Sequence, residues 1–315
     1  MMKLKIFTSI FFSTLISNSV VAADQLGSRN NPFKIAIVPS GHATKALDNA
    51  KPVAKCIEEK SKIFINIQVP NSYIAVVEAI GAQKVDLAFG DIVSFLIAKN
   101  KFGAEPLLQV IRYGTTTYQS AIFVKSSSNI KDVKDLEGKK FAYSDASSAS
   151  SYIYPKILMK KNNKKFAQEV PTGSMDASII ALMQGQVDAT AAYYNPPAIS
   201  AANKDGKKKD EGKPEKINDA RSKVINIYPN IAKETKVLWL SKPIPNEPVY
   251  ARKGLSDELK AKLVPAIADC IKKYPNSINN MQEVIPLKSN TTDYDEFVKE
   301  VETSGLDIAN IFSKK

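Results

Sequence analysis

The chain has 315 residues, of which 44% are hydrophobic and 24% charged, and its formal net charge is +12. This balance excludes a disordered chain, and the length suits two lobes of ordinary domain size. The lysines are scattered and no arginine-aromatic nucleic-acid motif occurs, so the positive charge reads as a solvated surface with no nucleic-acid partner.

The first residues carry a charged start (Lys3, Lys5), an apolar stretch over residues 6–16 and small residues ending Val20-Val21-Ala22-Ala23. This pattern predicts a signal peptide over residues 1–23 and an exported, periplasmic protein. The apolar run is too short and too interrupted by Ser and Thr to span a bilayer.

Strand-like and helix-like units then alternate. Lys34-Ile35-Ala36-Ile37-Val38 reads as a buried strand, residues 43–62 as a helix, Phe64-Ile65-Asn66-Ile67-Gln68-Val69 as a second strand and residues 73–82 as a short helix. Val85-Asp86-Leu87-Ala88-Phe89 is a third strand and residues 92–99 a further helix. That order implies a parallel-dominated α/β sheet. After extended segments at residues 107–112 and 120–125, a second set begins. It has a strand at Phe141-Ala142-Tyr143, a helix through Lys161, a short strand near Glu169-Val170, a helix over residues 177–183 and a strand over residues 187–191.

Residues 203–218, with Lys207-Lys208-Lys209, read as a surface excursion. Residues 237–240 are extended, Pro243, Pro245 and Pro248 then restrict the chain, and helices follow over residues 255–274 and 294–303. Two α/β sets joined by extended crossings predict a discontinuous first lobe, residues 24–118 and 239–315, and a second lobe, residues 119–238. The crossings are placed near residues 118–120 and 238–245. Cys56 and Cys270 both fall in helix-like segments assigned to the first lobe. Two buried thiols and one bridge both fit, and export inclines the expectation toward a disulfide. No metal-ligand spacing occurs, and His42 is the single histidine.

The most informative stretch is Ser144-Asp145-Ala146-Ser147-Ser148-Ala149-Ser150-Ser151-Tyr152-Ile153-Tyr154-Pro155, which follows a strand and opens a helix. A helix start exposes unpaired N–H groups and a partial positive charge, and serine hydroxyls add rotatable donors. Together they suit a phosphate, phosphonate, sulfate or carboxylate; taken alone, the stretch reads as one serine capping the helix among ordinary loop residues. Tyr118, near the first crossing, either meets a ligand or packs in the hinge. Tyr193-Tyr194-Asn195 ends a strand and either closes over a ligand or packs on its lobe. Asp91 reads as the cap of the helix from Ile92, and Arg112 as an anion partner or a salt bridge.

This serine segment resembles the anion-binding loop of the phosphate/phosphonate-binding protein family, the solute receptors of phosphonate ABC importers. Further similarities follow in order: Val69-Pro70-Asn71-Ser72-Tyr73, Val85-Asp86-Leu87-Ala88-Phe89-Gly90, Asp135-Leu136-Glu137-Gly138-Lys139, Gly173-Ser174-Met175-Asp176-Ala177, Gly185-Gln186-Val187-Asp188-Ala189 and Pro243-Ile244-Pro245-Asn246-Glu247-Pro248. The resemblance implies a two-lobed α/β periplasmic binding protein of the type II kind, each lobe a mixed sheet flanked by helices, with the ligand between them. It implies Ser148 and Ser150 as anion-binding serines flanked by Ser147 and Ser151, Tyr73 as a cleft aromatic from the first lobe, and Asp176 as the acceptor of an amino group. The chain departs from the family at Ala149, Ser151, Met175 and Gly90, where threonine, glycine, histidine and a second tyrosine are common; Ser174 stands next to the missing histidine.

The expected activity is binding by hinge closure of a phosphonate or related phosphate-like oxyanion, with delivery to a membrane permease, as a monomer and without cofactor or metal. The alternatives are another small solute (a sulfate-like anion, a phosphorylated cofactor or a thiamine-like cation) and a non-transport exported binding or signalling protein. An enzyme is not expected. Ser128-Asn129-Ile130-Lys131 lacks the companion elements of the serine enzymes that share its spacing, and no nucleophile elbow, phosphate-binding Gly-Lys loop or dinucleotide fingerprint is present.

Overall fold

The computed structural model describes residues 25–37, 43–195, 217–279, 281–287 and 292–306. The predicted signal peptide, His42 and the lysine run at residues 207–209 lie outside the described residues.

The chain builds two mixed sheets. In the first, β1 (Phe33–Ile37) lies between β2 (Ile65–Gln68) and β3 (Leu87–Phe89), all parallel. β4 (Glu105–Ile111), β11 (Pro248–Ala251) and β12 (Glu283–Pro286) complete it in the order β12-β4-β11-β3-β1-β2, and these later pairings are antiparallel. In the second, β6 (Lys140–Tyr143) lies between β7 (Gln168–Pro171) and β8 (Ala189–Tyr194), again parallel. β5 (Thr117–Lys125) pairs antiparallel with β8, β9 (Thr235–Leu240) and β10 (Ile244–Pro245). The parallel-dominated reading therefore describes only the β1-β2-β3 and β6-β7-β8 cores; the remaining pairings in each sheet are antiparallel. β11 and β12 were not anticipated. β11 opens on Pro248, a first-strand position where the missing N–H is tolerated, so its three prolines-in-six prelude concealed a central strand.

Strand alternation places the core. Phe33, Ile35, Ile37, Leu87 and Phe89 pack on one face against Val53 and Ile57 of α1 (Ala43–Ser61) and Leu263, Ile267 and Ile271 of α7 (Asp257–Lys273). Ala36 and Ala88 face the other side, toward α2 (Tyr73–Gly81), α3 (Ile92–Phe102) and α8 (Thr292–Thr303). The second sheet buries Ala121, Phe123 and Ala142 against α5 (Met175–Met183), and Ile122, Val124 and Phe141 against its other layer, which includes Met159 of α4 (Tyr154–Lys161). A short helix, α6 (Ile231–Glu234), leads into β9.

Each sheet is pinned by an aspartate in the same local device. Asp86 donates its N–H to Lys34 O and accepts the Lys34 N–H at 2.9 Å. Asp188 donates to Lys140 O and accepts the Lys140 N–H at 2.8 Å. Both sit just before a parallel strand, in Val85-Asp86-Leu87 and Val187-Asp188-Ala189. The device fixes the register of β3 beside β1 and of β8 beside β6, because each carboxylate satisfies an edge N–H that the ladder alone leaves open. Asp86 also accepts from Arg252 Nε at 2.8 Å, which ties β11 to the same corner.

The chain passes between the sheets at residues 112–116 and returns at residues 246–247. Residues 118–120 and 238–240, placed at the crossings from sequence, are ladder residues of β5 and β9 in the second sheet. An extended linker and an extended strand share one sequence signature, and only the pairing partner separates them. The first crossing is a tight turn in which Tyr113 (φ 51°) and Gly114 (φ 76°) both take left-handed conformations. The two crossings are tied by a partly buried two-pronged ion pair, Arg112 with Glu247, in which Arg112 Nη1 donates at 2.6 Å. Asn246 Nδ2 adds bonds to Val110 O and Thr115 O at 3.0 and 2.9 Å.

Cys56 of α1 and Cys270 of α7 are joined in a disulfide. Replacing both by alanine is expected to lower unfolding stability by about 2–5 kcal/mol. Urea denaturation checks this, with a reduced and an oxidised sample of the native chain as a second comparison; coincident midpoints in all three would contradict it. Glu247→Ala is expected to cost about 1.5–3 kcal/mol, because the partly buried Arg112 guanidinium loses its counter-charge and keeps only its bonds to Asn279 O. The same denaturation midpoint measures it, and a loss under 1 kcal/mol would contradict a structural role for the pair.

Candidate ligand-binding site

Four helices begin at one place. α2, α3 and α5 follow parallel strands β2, β3 and β7, and a π-turn (Ala149–Ile153) that runs into α4 follows β6. Their first residues line a single cavity of about 640 Å³ between the two sheets: Ser72 and Tyr73, Asp91 and Ile92, Ser148 to Ser150, and Ser174 and Met175. In each case the strand supplies direction and a cap stops the turn. Ser72 Oγ accepts from Ala75 N–H at 3.2 Å, Ser174 Oγ from Ala177 N–H at 3.3 Å, and Asp91 Oδ1 from Val93 and Ser94 N–H at 2.8 and 3.1 Å. Ser148 Oγ accepts from Ser151 N–H at 3.1 Å, and its own proton has no acceptor among the described residues. Four positive helix ends in one cavity favour a negative group there.

The serine loop is held by its own residues. Ser147 N–H bonds Asp145 Oδ1 at 2.7 Å, and its hydroxyl meets the same oxygen. Ser148 N–H bonds Asp145 O, while the first intrahelical bonds run from Tyr152 and Ile153 N–H to Ser148 O. The Ala149 and Ser150 N–H groups stand ahead of that ladder, at the cavity wall.

Of the residues singled out from sequence, Tyr73, Tyr118, Ser147, Ser148, Ser150, Ser174 and Tyr193 all line this cavity, whereas Ser151 and Asp176 do not. Ser151 is fully buried and its hydroxyl accepts the Ser144 N–H at 2.7 Å, so it staples the loop rather than facing a ligand. Asp176 lies one position past Met175 on α5, where its charge acts on Lys223. Gly90 also lines the cavity, and a β-carbon there would come within 2.7 Å of Ser94 Oγ and 2.9 Å of the Tyr250 hydroxyl. The buried Tyr250 thus fills the space that a side chain at position 90 would need.

Electrostatically the cavity is mixed. Burial raises the pKa of Tyr73, and the charges of Asp91, Glu247 and Asp145 raise it further. Burial likewise raises Tyr118, beside Ser150, and Tyr193, so all three phenols stay protonated and able to donate. Asp91 is pushed up to about 7, chiefly by burial, against lowering hydrogen bonds from Ser94 and Val93. Lys223 faces the cavity with its ammonium 5.9 Å from the centre of the Tyr193 ring; desolvation lowers its pKa and Asp176 opposes the shift.

Asn195, read with Tyr193 and Tyr194 as closing over a ligand or packing, lines the cavity too; sequence reasoning assigned no role to Asp145, Lys223, Asn246 or Glu247, which also line it. Asn246 and Glu247 sit inside the Pro243-Ile244-Pro245-Asn246-Glu247-Pro248 similarity, so that run of restricted residues was a usable signal. Lys223 offered none. Among the described residues no group of acidic, histidine or cysteine side chains is arranged to hold a metal.

The chain matches the family model "ABC transporter, phosphonate, periplasmic substrate-binding protein" over residues 35–282. It is 24% identical over 272 residues to the phosphonates-binding periplasmic protein of Escherichia coli, covering 83% of this chain and 73% of that one. It is 28% identical over 173 residues to the phosphate-import protein PhnD of Mycolicibacterium smegmatis, covering 50% of this chain and 54% of that one. In fold it resembles PhnD1 of Prochlorococcus marinus, solved with methylphosphonate, at a TM-score of 0.66 and 16% identity over 87% of this chain and 98% of that one. With a matched region that spans both sheets, the chain belongs to the family of periplasmic substrate-binding proteins of phosphonate ABC transporters, which bind a solute for a membrane permease and catalyse no reaction.

Proposed function

We propose that this chain takes a phosphonate or phosphate-like oxyanion into the cavity between its sheets and presents it to its permease. The observation that carries this is the convergence of the Ser148–Ser150 helix start with three other helix starts and three protonated tyrosines in one cavity. The oxyanion sits against the Ala149 and Ser150 N–H groups and the Ser148 and Ser150 hydroxyls, while Tyr73 reaches it from the opposite wall. No formal positive charge is required, because helix-end amides and hydroxyls supply the donors. The names of the curated relatives span phosphonate binding and phosphate import, which share this tetrahedral oxyanion.

Closure is a rotation of two lobes, residues 25–111 with 248–306 and residues 117–245, about the crossings at residues 112–116 and 246–247. Each crossing is short, and their Arg112–Glu247 pair acts as a common pivot. Closing removes water and strengthens each oxyanion contact. The protein works as an exported monomer directed by residues 1–23, with no nucleic-acid partner.

Ser148→Ala and Ser150→Ala are each expected to weaken methylphosphonate or phosphate binding by about 1–3 kcal/mol. Isothermal titration calorimetry measures this, with circular dichroism to confirm the fold; unchanged affinity in the double variant would remove the assigned site. Tyr73→Phe is expected to lose about 1 kcal/mol of affinity with little change in melting temperature. Equal affinity of the phenylalanine variant would take Tyr73 out of the contact set.

A further inference from the structure

Four buried side-chain oxygens among the described residues have no hydrogen-bond partner, and three of them belong to residues lining the cavity: Asp91 Oδ2, Asn195 Oδ1 and Asn246 Oδ1. Buried polar atoms are almost always satisfied, so a cluster of exceptions in one cavity points to a partner that arrives with the ligand. The orientation of both amides is fixed, since Asn246 Nδ2 donates to Val110 O and Thr115 O, and Asn195 Nδ2 donates to Asn218 O at 3.1 Å. Asn246 is fully buried and Asn195 nearly so. All three free atoms are therefore acceptors, in the same cavity as the serine donors.

From this we infer that Asp91 is a specificity-determining residue that accepts a hydrogen bond from a protonated oxygen of the bound oxyanion, so that a P–OH group is taken and a fully deprotonated sulfonate is refused. This rests on the oxyanion function proposed above. An oxyanion brought against a carboxylate oxygen is repelled unless one of the two carries a proton. A phosphonate monoanion brings that proton, whereas a sulfonate has none to bring at neutral pH. Asp91 is well held for the task. Its other oxygen, Oδ1, is occupied by the Val93 and Ser94 N–H groups, which aims Oδ2 away from the helix. The titratable groups acting with it are Glu247 on the second crossing, Tyr73 at the start of α2, Tyr118 on β5 and Tyr250 on β11. The phenols could donate, but none of them hydrogen-bonds Asp91 Oδ2, and Glu247 is committed to Arg112, so the donor to this oxygen is missing among the described residues.

The test compares methylphosphonate, methylsulfonate and 2-aminoethylsulfonate by calorimetry at roughly pH 7.5, above the value of about 7 to which burial raises Asp91. The native chain is expected to prefer methylphosphonate to methylsulfonate by about threefold, the cost at this pH of protonating Asp91 so that it can meet a sulfonate. Asp91→Asn keeps a good helix cap but presents an amide N–H₂ to the cavity, and is expected to lose the preference by gaining sulfonate affinity. A merely structural Asp91 would weaken both ligands together and leave their ratio unchanged, which would overturn the inference. Equal binding of the two methyl compounds by the native chain would also overturn it, while leaving the oxyanion site itself in place. If 2-aminoethylsulfonate binds as tightly as methylphosphonate, the donor comes from an ammonium and the P–OH assignment falls. Failure of every compound to bind would remove the oxyanion function and this inference with it.

Discussion

Parallel pairing is the constraint on which the site depends. A strand that runs parallel to its neighbour must be followed by a helix whose start lies at the strand's carboxyl end. β2, β3, β6 and β7 all obey this, so the starts of α2, α3, the π-turn before α4, and α5 are delivered to the same edge of their sheets. The two sheets then place those edges across one cavity. Asp86 and Asp188 hold the arrangement in register, each by exchanging bonds with the residue at the start or edge of the neighbouring strand. A slip of one residue in either sheet would invert strand faces and carry the helix starts away from the cavity.

The same geometry explains why so few charges suffice. Neutral donors dominate the serine wall, and burial keeps the phenols of Tyr73, Tyr118 and Tyr193 protonated. The one guanidinium in the cavity is committed to Glu247, where it links the crossings. The unpartnered acceptor oxygens of Asp91, Asn195 and Asn246 line the same cavity. A cavity that offers both donors and acceptors selects for a solute that is both, and it does so by desolvation cost more than by net charge.

Much of this was legible in the sequence, for identifiable reasons. The apolar run at β1, the period-two run at β2 and the helical spacing of α1 and α7 gave their elements within a few residues, because their burial is one-sided or complete. The serine segment marked the anion wall because helix caps and anion sites use the same residues. For that reason Ser151 could not be told from Ser150: one hydroxyl turns inward to Ser144 N–H and the other residue lines the cavity, a difference set by a π-turn that no local propensity encodes. β11 was hidden by Pro248, and the crossings were displaced because β5 and β9 look like linkers until their partners are known. Asp91 read as a cap, which it is; its second oxygen became informative only once the cavity beside it was visible.

The central claim is that helix-start amides and hydroxyls at residues 148–150 hold the oxyanion. A crystal structure of the protein with methylphosphonate tests it most directly. The account predicts phosphonate oxygens within about 2.7–3.1 Å of Ser148 Oγ and of the Ala149 and Ser150 nitrogens, with the Tyr73 hydroxyl closing from the opposite wall. A phosphonate bound elsewhere, or held by Lys223 with the serine wall unengaged, would contradict it.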